Sequence, residues 1–304
     1  MMNIEKVFKN DRLMHALTGM SAKEFVGLLP EFEKVWGTVR LRKYQNDPKR
    51  ERKPGGGKKG FLKTPSEKLF FILLYYKCYP TYDLAGFLYA CDRSAACRRQ
   101  QNLSMILERT LKRKLVLPKR QMRSVEEFLK AFPEAREVFI DGTERPIQRP
   151  EDTERQKANY SGKKKRHTRK NIIISTKKKR IGFLSKTVEG KESDIMVLRE
   201  TAPPRYIPPN VRTHADLGFK GLDTEYPYLR ISIPAKKPRT RDLTEAQRAR
   251  NKKKSGVRVL VEHAIGGVKR LGIVSQVFRN RKEDFDDTAM LISCGLWNYH
   301  LAMS

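Results

Sequence analysis

Three acids in this 304-residue chain have the type and spacing to do phosphate chemistry: Asp141 ending "EVFID", Asp216 ending "VRTHAD", and Glu262 inside "SGVRVLVEHAIGGVKR". Mg²⁺ and Mn²⁺ take hard oxygen ligands, and two such ions about 4 Å apart clamp the attacking and leaving oxygens of a phosphate. Carboxylates carried on separate elements can supply that clamp. Asp141 and Asp216 each end an apolar run and precede Gly or Leu-Gly, which places them where buried backbone meets a cleft. A strand-end Asp taken alone is more often a turn or capping residue than a ligand. Glu144, Asp194, Asp223 and Glu225 are competitors that spacing does not exclude.

The third acid poses its own question, because Glu262 lies among apolar residues and between Arg258 and Lys269. On a helix advancing about 100° per residue, Arg258 lies about 40° from Glu262 and Lys269 about 20° from it, so the three share one stripe. Val257, Val261, Ala264 and Val268 cover the neighbouring, buried face. A carboxylate at that edge is costly without a partner. The plain alternative is an i, i+4 ion pair between Arg258 and Glu262, worth ~0.3–0.5 kcal/mol on a surface.

The elements that must hold these acids begin after Pro133, where short apolar runs bounded by turn residues replace long helical periods. Five strands are expected, at "EVFID", "NIIIST", "RIGFLSKTV", "VRTHAD" and "YLRISIPA", with "KKKR" at 177–180 as the turn between the second and third. Helices are expected at 193–201 and 244–271. Thr244 and Gln247 form a capping box for the longer one, and an interruption or bend is expected near Ser255 and Gly256. Three strands, helix, fourth strand, short helix, fifth strand and final helices is the order of the ribonuclease H-like fold, an α/β class with a mixed five-stranded sheet and flanking helices. Its two-metal enzymes carry acids on the first strand, just after the fourth, and on the helix after the fifth. Asp141, Asp216 and Glu262 occupy those positions.

Upstream, residues 12–36 space apolar positions three and four apart around Ser21, which can cap a second helix. Region 1–44 is therefore read as a small helical opening, and the Gly- and cation-rich stretch 45–60 as a linker or DNA-touching loop. Region 61–132 starts a strong helix with Thr64 as N-cap, Pro65 at the first position and Glu67 three residues on. Two shorter helical segments follow with a brief turn around Cys91 and Asp92, the pattern of a helix-turn-helix. Arg98, Arg99, Gln100, Gln101 and Asn102 would face the major groove, with an ordinary bundle bearing a basic face as the alternative. Residues 133–304 form the remaining region.

Sixty-five Lys and Arg against 34 Asp and Glu give a formal charge of +31, which implies a polyanionic partner, nucleic acid before all others. No apolar run reaches the ~20 residues needed to span a bilayer and no signal peptide opens the chain, so a soluble cytoplasmic protein is expected. Cys78, Cys91, Cys97 and Cys294 match neither a disulfide framework nor a paired zinc pattern and are expected to be reduced core thiols. In the tract "RQKANYSGKKKRHTRK", Tyr160 and His167 interrupt Lys163, Lys164, Lys165 and Arg166, and interleaved aromatics and cations suit a nucleic-acid track.

The block "RVLVEHAIGGVK", Arg then three residues, Glu, then six and Lys, resembles the signature of DDE transposases of bacterial insertion sequences. "FIDGTERPIQRP", "YSGKKKRHTRKNIIIS" and "HADLGFKG" resemble the other blocks of the insertion-sequence-five group, related to eukaryotic Harbinger elements, and the resemblance covers roughly 64–302. Many relatives carry Tyr three positions before the arginine, where this chain has Ser255. The resemblance implies a DNA transposase of the bacterial nucleoid, with Asp141, Asp216 and Glu262 as catalytic triad and two Mg²⁺ (or Mn²⁺) ions per site. It also implies Arg258 and Lys269 as phosphate contacts, double-stranded DNA (terminal inverted repeats and target) as partner, and a homodimer on paired ends. The rival readings are a catalytically inactive helix-turn-helix DNA-binding protein derived from a transposase, and a nuclease of the same fold.

Overall fold

The computed structural model describes residues 4–46, 60–133, 135–238, 240 and 242–304. The expected linker at 45–60 lies almost wholly outside the described residues. Two compact units emerge, and they do not follow chain order: 1–117, 270–276 and 288–304 form one, while 118–269 and 277–287 form the other. The sequence divides instead at 133 and assigns everything after it to one region. The difference arises because the apolar C-terminal helix packs with the N-terminal helices.

The helical unit contains α1 (Ile4–Phe8), α2 (Asp11–Thr18), α3 (Ala22–Gln45), α4 (Pro65–Cys78), α5 (Tyr82–Tyr89) and α6 (Arg93–Arg113). Ser21 and Glu24 close a capping box at the start of α3, and Thr64 and Glu67 close another at α4, each satisfying backbone N–H groups that the first turn leaves open. Helix α4 is apolar on all sides and buried along most of its length, the mark of a central helix. Helices α4, α5 and α6 occupy the expected helix-turn-helix positions. The turn is tight: Ala90 adopts a left-handed conformation (φ 51°) and the Cys91 N–H donates to the Gly86 carbonyl at 2.9 Å.

In the second unit, α7 (Val125–Ala131), β1 (Glu137–Pro146), α8 (Thr153–Asn159), β2 (Tyr160–Ser161), β3 (Arg166–Thr176), β4 (Ile181–Leu184), β5 (Val188–Glu189) and α9 (Asp194–Thr201) come first. Then follow β6 (Arg212–His214), α10 (Leu222–Glu225), β7 (Arg230–Ser232) and α11 (Glu245–Lys269). The chain continues with α12 (Gly272–Ser275) and α13 (Phe285–Met303). All five expected strands are present. The sheet gains two more, the two-residue β2 and β5, which pair only with β3.

Strand order is β2-β3-β1-β6-β7, with β4 and β5 also on β3. β1 and β3 run antiparallel, whereas β1–β6 and β6–β7 are parallel, giving the mixed sheet of the ribonuclease H-like class. One face buries Val138, Ile140, Ile172 and Ile174 against Val197 and Leu198 of α9 and Phe128 and Phe132 beside them. Alternation sends Phe139, Asp141 and Ile173 to the other face, where α11 packs on β1 and β3.

Two expectations need correction. Helix α11 runs unbroken through Ser255 and Gly256, so it is not interrupted there; its Thr244–Gln247 capping box is present. All four cysteines are free, but only Cys294 is buried and Cys78 is exposed. Among the described residues, no helix is long and apolar enough to cross a membrane.

The helix-turn-helix yields a direct test. A Cβ at Gly86 would stand 2.5 Å from the Cys91 carbonyl oxygen, a backbone atom that has no rotamer to retreat into. Gly86→Ala is expected to destabilise the fold by about 1–3 kcal/mol, read as a lowered midpoint in thermal unfolding followed by circular dichroism. An unchanged midpoint would show the turn to be looser than described.

Candidate active site

Register places the two aspartates. Phe139 of β1 pairs with His214 of β6, and Asp141 and Asp216 each lie two residues further along these adjacent parallel strands. Parallel neighbours deliver equivalent positions to the same end of a sheet, so the two carboxylates arrive side by side. Both are largely buried, and both turn to one cation: Arg258 Nη2 stands 3.9 Å from Asp141 Oδ2 and 3.8 Å from Asp216 Oδ2. The ion pair expected as the plain alternative, Arg258 with Glu262, is replaced by this one across the cleft.

A cleft of about 330 Å³ joins the expected residues. Asp141, Asp216, Glu262, Lys163, Lys164, Arg258 and Lys269 all line it. Arg258, Glu262 and Lys269 share a stripe of α11 with Ile265 and Gly266, while Val261, Ala264 and Val268 are buried beside them, as the helical spacing requires. Glu262 itself is exposed. Among the described residues, no group of three or more His, Cys, Asp and Glu side chains is arranged to hold a metal ion.

The aspartate pair does fit a hard divalent cation. Burial pushes the Asp141 carboxyl up to about 6, the Asp216 carboxylate pushes it the same way, and Arg258 and the Gly142 N–H only partly oppose them. Arg258 sits beyond hydrogen-bonding distance of both acids, and its buried Nε has no hydrogen-bond partner among the described residues. Negative charge is thus concentrated where the chain's own cation neutralises it incompletely. An ion with short oxygen bonds would satisfy both carboxylates better than this guanidinium does.

A fourth carboxylate, weighed in the sequence only as a competitor, proves to belong here. Asp194, at the start of α9, lines the cleft and meets Lys170 Nζ at 2.8 Å. Its carboxylate wedges between the two aspartate loops so closely that a Cβ at Gly142 or Gly218 would approach it to 2.9 and 3.0 Å. Glycine at both positions is what lets the wedge fit. Lys170, buried on β3, also donates to the Glu192 carbonyl at 2.7 Å. It is hidden in the sequence because it reads as one more cation of a basic run; strand alternation alone could have marked it as inward-facing. Glu144 also lines the cleft, where it accepts from Thr168 at 2.8 Å; Glu225 pairs with Arg199, and Asp223 is exposed outside the cleft lining.

The basic residues separate by place. Tyr160 and Ser161 pair with His167 and Arg166 in a hairpin whose exposed tip carries Lys163, Lys164 and Lys165, the last in a left-handed turn (φ 53°). The rings of Tyr160 and His167 meet edge to face at 5.6 Å. Lys269 is mostly buried and donates to the Glu144 carbonyl at 3.1 Å; burial first, then Lys164 and Arg145, lowers its pKa. On α6 of the helical unit, Arg98 and Asn102 are exposed and share a face with Ser94. Arg99 lies 5.9 Å from the Phe61 ring centre, and Gln101 donates to Cys97 Sγ. Gln100 needs correction: fully buried, it accepts from Tyr82 and donates to Ser104, so it holds α5 to α6 and faces no ligand.

The raised Asp141 pKa carries a stability consequence. Relative to its ordinary value of 3.8, a folded pKa of about 6 means the folded chain keeps a proton that the unfolded chain has lost between those values. The penalty is fully present above pH 6 and is relieved as pH falls toward 4. In metal-free buffer at pH 8, Asp141→Asn is therefore expected to stabilise the protein by about 1–3 kcal/mol, an advantage that falls to about half by pH 5. Thermal unfolding of both proteins across that range checks it, and a variant less stable than wild type at pH 8 contradicts it.

Comparison with known proteins agrees with this architecture. Residues 140–298 match the family described as DDE superfamily endonuclease, and residues 61–113 match the helix-turn-helix of DDE superfamily endonuclease. A probable transposase for insertion sequence element IS702 from Microchaete diplosiphon is 29% identical over 258 residues, covering 84% of this chain and 87% of that protein. No solved structure is matched. With its endonuclease match spanning more than half its length and enclosing Asp141, Asp216 and Glu262, this chain belongs to the DDE superfamily endonucleases.

Proposed function

We propose that this protein is the transposase of an insertion sequence, which binds the ends of its element, cuts the DNA there and joins the freed 3′-hydroxyl to a target strand. The observation that carries the reading is the aspartate pair, Asp141 within β1 just past its pairing with β6 and Asp216 just past the end of β6, facing a shared cation in a cleft that Glu262 and four basic side chains also line. The similarity to a probable insertion-sequence transposase along most of both chains supports it.

In this reading Asp141 and Asp216 would hold metal directly and Glu262 would complete the second ion's ligands. Two Mg²⁺ or Mn²⁺ ions would supply Lewis-acid stabilisation of charge on the phosphoryl oxygens and activation of the attacking oxygen. Lys163 and Lys164 bring ammonium groups from the hairpin tip to a phosphate in the cleft, and Arg258 is released toward it once the aspartates have another counter-charge. Lys269, tied to the Glu144 carbonyl, fixes the floor of the cleft and presents positive charge beneath the strand. Double-stranded DNA is the partner, with Arg98 and its exposed neighbours on α6 reading base edges and the basic hairpin gripping phosphates. Two copies acting on paired ends would form the working dimer.

The test uses duplexes carrying the terminal sequences that flank the gene, with and without Mg²⁺. Wild type is expected to cut and then join strands. Asp216→Asn is expected to lose cutting by ~10³-fold while DNA affinity stays the same or rises. Mg²⁺ or Mn²⁺ should raise the unfolding midpoint of wild type and not that of Asp216→Asn. Full cleavage by Asp216→Asn would remove the metal assignment, and cutting without joining would make the protein a nuclease of this fold.

A further inference from the structure

A second hollow, of about 350 Å³, opens beside the acidic cleft in the same unit. Arg212 and His214 of β6, Arg230 of β7, and Lys253 and Lys254 of α11 line it. Four permanent cations meet there, and Glu137 reaches Arg212 and His214 only at 3.9 Å, so the hollow keeps a net positive charge. Lys254 is anchored by a hydrogen bond to the Ile233 carbonyl at 2.6 Å. His214 is 7% exposed, and its ring is stacked on Phe139 at 4.9 Å. Its Nε2 is buried without a hydrogen-bond partner among the described residues. An orphaned buried nitrogen beside converging cations is what an anionic oxygen ligand satisfies.

The position of the hollow decides which anion. Arg212, His214 and Asp216 alternate along β6 and its continuation, and Lys254, Arg258 and Glu262 succeed one another at four-residue steps on α11. Hollow and cleft are therefore lined by successive stretches of the same two segments, β6 with its continuation and α11, and form two stations along them. Eight residues of helix separate Lys254 from Glu262, about 12 Å of axial rise. A polymer of phosphates can occupy both stations at once, which a free phosphate cannot.

We infer that this hollow is a subsite for a backbone phosphodiester of the DNA strand, flanking the phosphate held by the acidic cleft. It rests on the reading of that cleft as the cutting site. The subsite fixes where along the strand the reacting phosphate stops, by sequence-independent contacts.

Arg230 and Lys253 are both exposed and lie in the walls of the hollow, so Arg230→Gln/Lys253→Gln tests it without disturbing the core. Binding of the full chain to a fluorescent duplex is measured between ~50 and ~200 mM salt. The double variant is expected to bind about 10-fold more weakly and to lose between ~1 and ~2 from the slope of log affinity against log salt, at ~0.9 per phosphate contact. Lys177→Gln/Lys178→Gln, exposed on the turn between β3 and β4, removes equal charge elsewhere. A slope loss no greater than this control's overturns the inference. So does inorganic phosphate that displaces DNA from wild type beyond its ionic-strength effect, which would mark a free-anion site. If wild type cuts DNA with Mg²⁺ while the double variant keeps the full slope, the subsite alone fails. If wild type never cuts, the cleft reading fails and the slope still judges the hollow.

Discussion

Two like charges forced together govern this protein. Parallel pairing of β1 with β6 brings Asp141 and Asp216 to the same sheet end, in surroundings dry enough to push the Asp141 carboxyl up to about 6. Such an arrangement costs folding free energy and gives nothing back to the core. It persists only where something else needs concentrated negative charge. Arg258 answers it from 3.8 and 3.9 Å, too far for hydrogen bonds, with one of its own nitrogens left unpaired among the described residues. The contact neutralises without binding tightly, which suits a counter-charge that has to give way.

Much of the surrounding structure can be understood as keeping that pair in place. Asp194 fills the space between Gly142 and Gly218, the residues that follow the two aspartates, and Lys170 prevents it from adding a third uncompensated charge. Any side chain larger than hydrogen at either glycine would push the wedge away. Below the cleft, Arg145 donates to Asn171, Thr187 and the Asp286 carbonyl, and Arg120 pairs with Asp287, so the returning segment 277–287 is bolted to the sheet by buried and half-buried polar contacts. Rigid backing of this kind is what a metal-dependent site needs, because carboxylates free to relax apart would lower their own repulsion and lose the cation site.

Periodicity made the scaffold legible. Five strands, the capping boxes at Ser21, Thr64 and Thr244, and the single stripe of Arg258, Glu262 and Lys269 all follow from local pattern, because local pattern decides capping and amphipathic burial. What escaped depends on contacts between distant segments. The pairing of Arg258 with two aspartates instead of Glu262 is set by how α11 packs on the sheet. Gln100 looked like a base-reading residue by type, yet its place on α6 turns it toward Tyr82 and Ser104. Lys170 and the cations around His214 were invisible for the opposite reason: in a chain with 65 basic residues, one more carries no signal until burial singles it out, as for Lys170, or the fold gathers several around one hollow.

That excess of charge also explains why binding and cutting must be separable. A surface this positive attracts any duplex, so affinity by itself selects nothing. Selection requires groups whose geometry is fixed before DNA arrives. On α6, the anchoring of Gln100 to Tyr82 and Ser104 fixes the face that Arg98 and Asn102 present. In the sheet unit, His214 is fixed by stacking on Phe139 and Lys254 by the Ile233 carbonyl, while Asp141 and Asp216 are fixed by strand register. In the proposed function the exposed lysines would gather the polymer, and these fixed groups would decide which phosphate comes to rest against the aspartates.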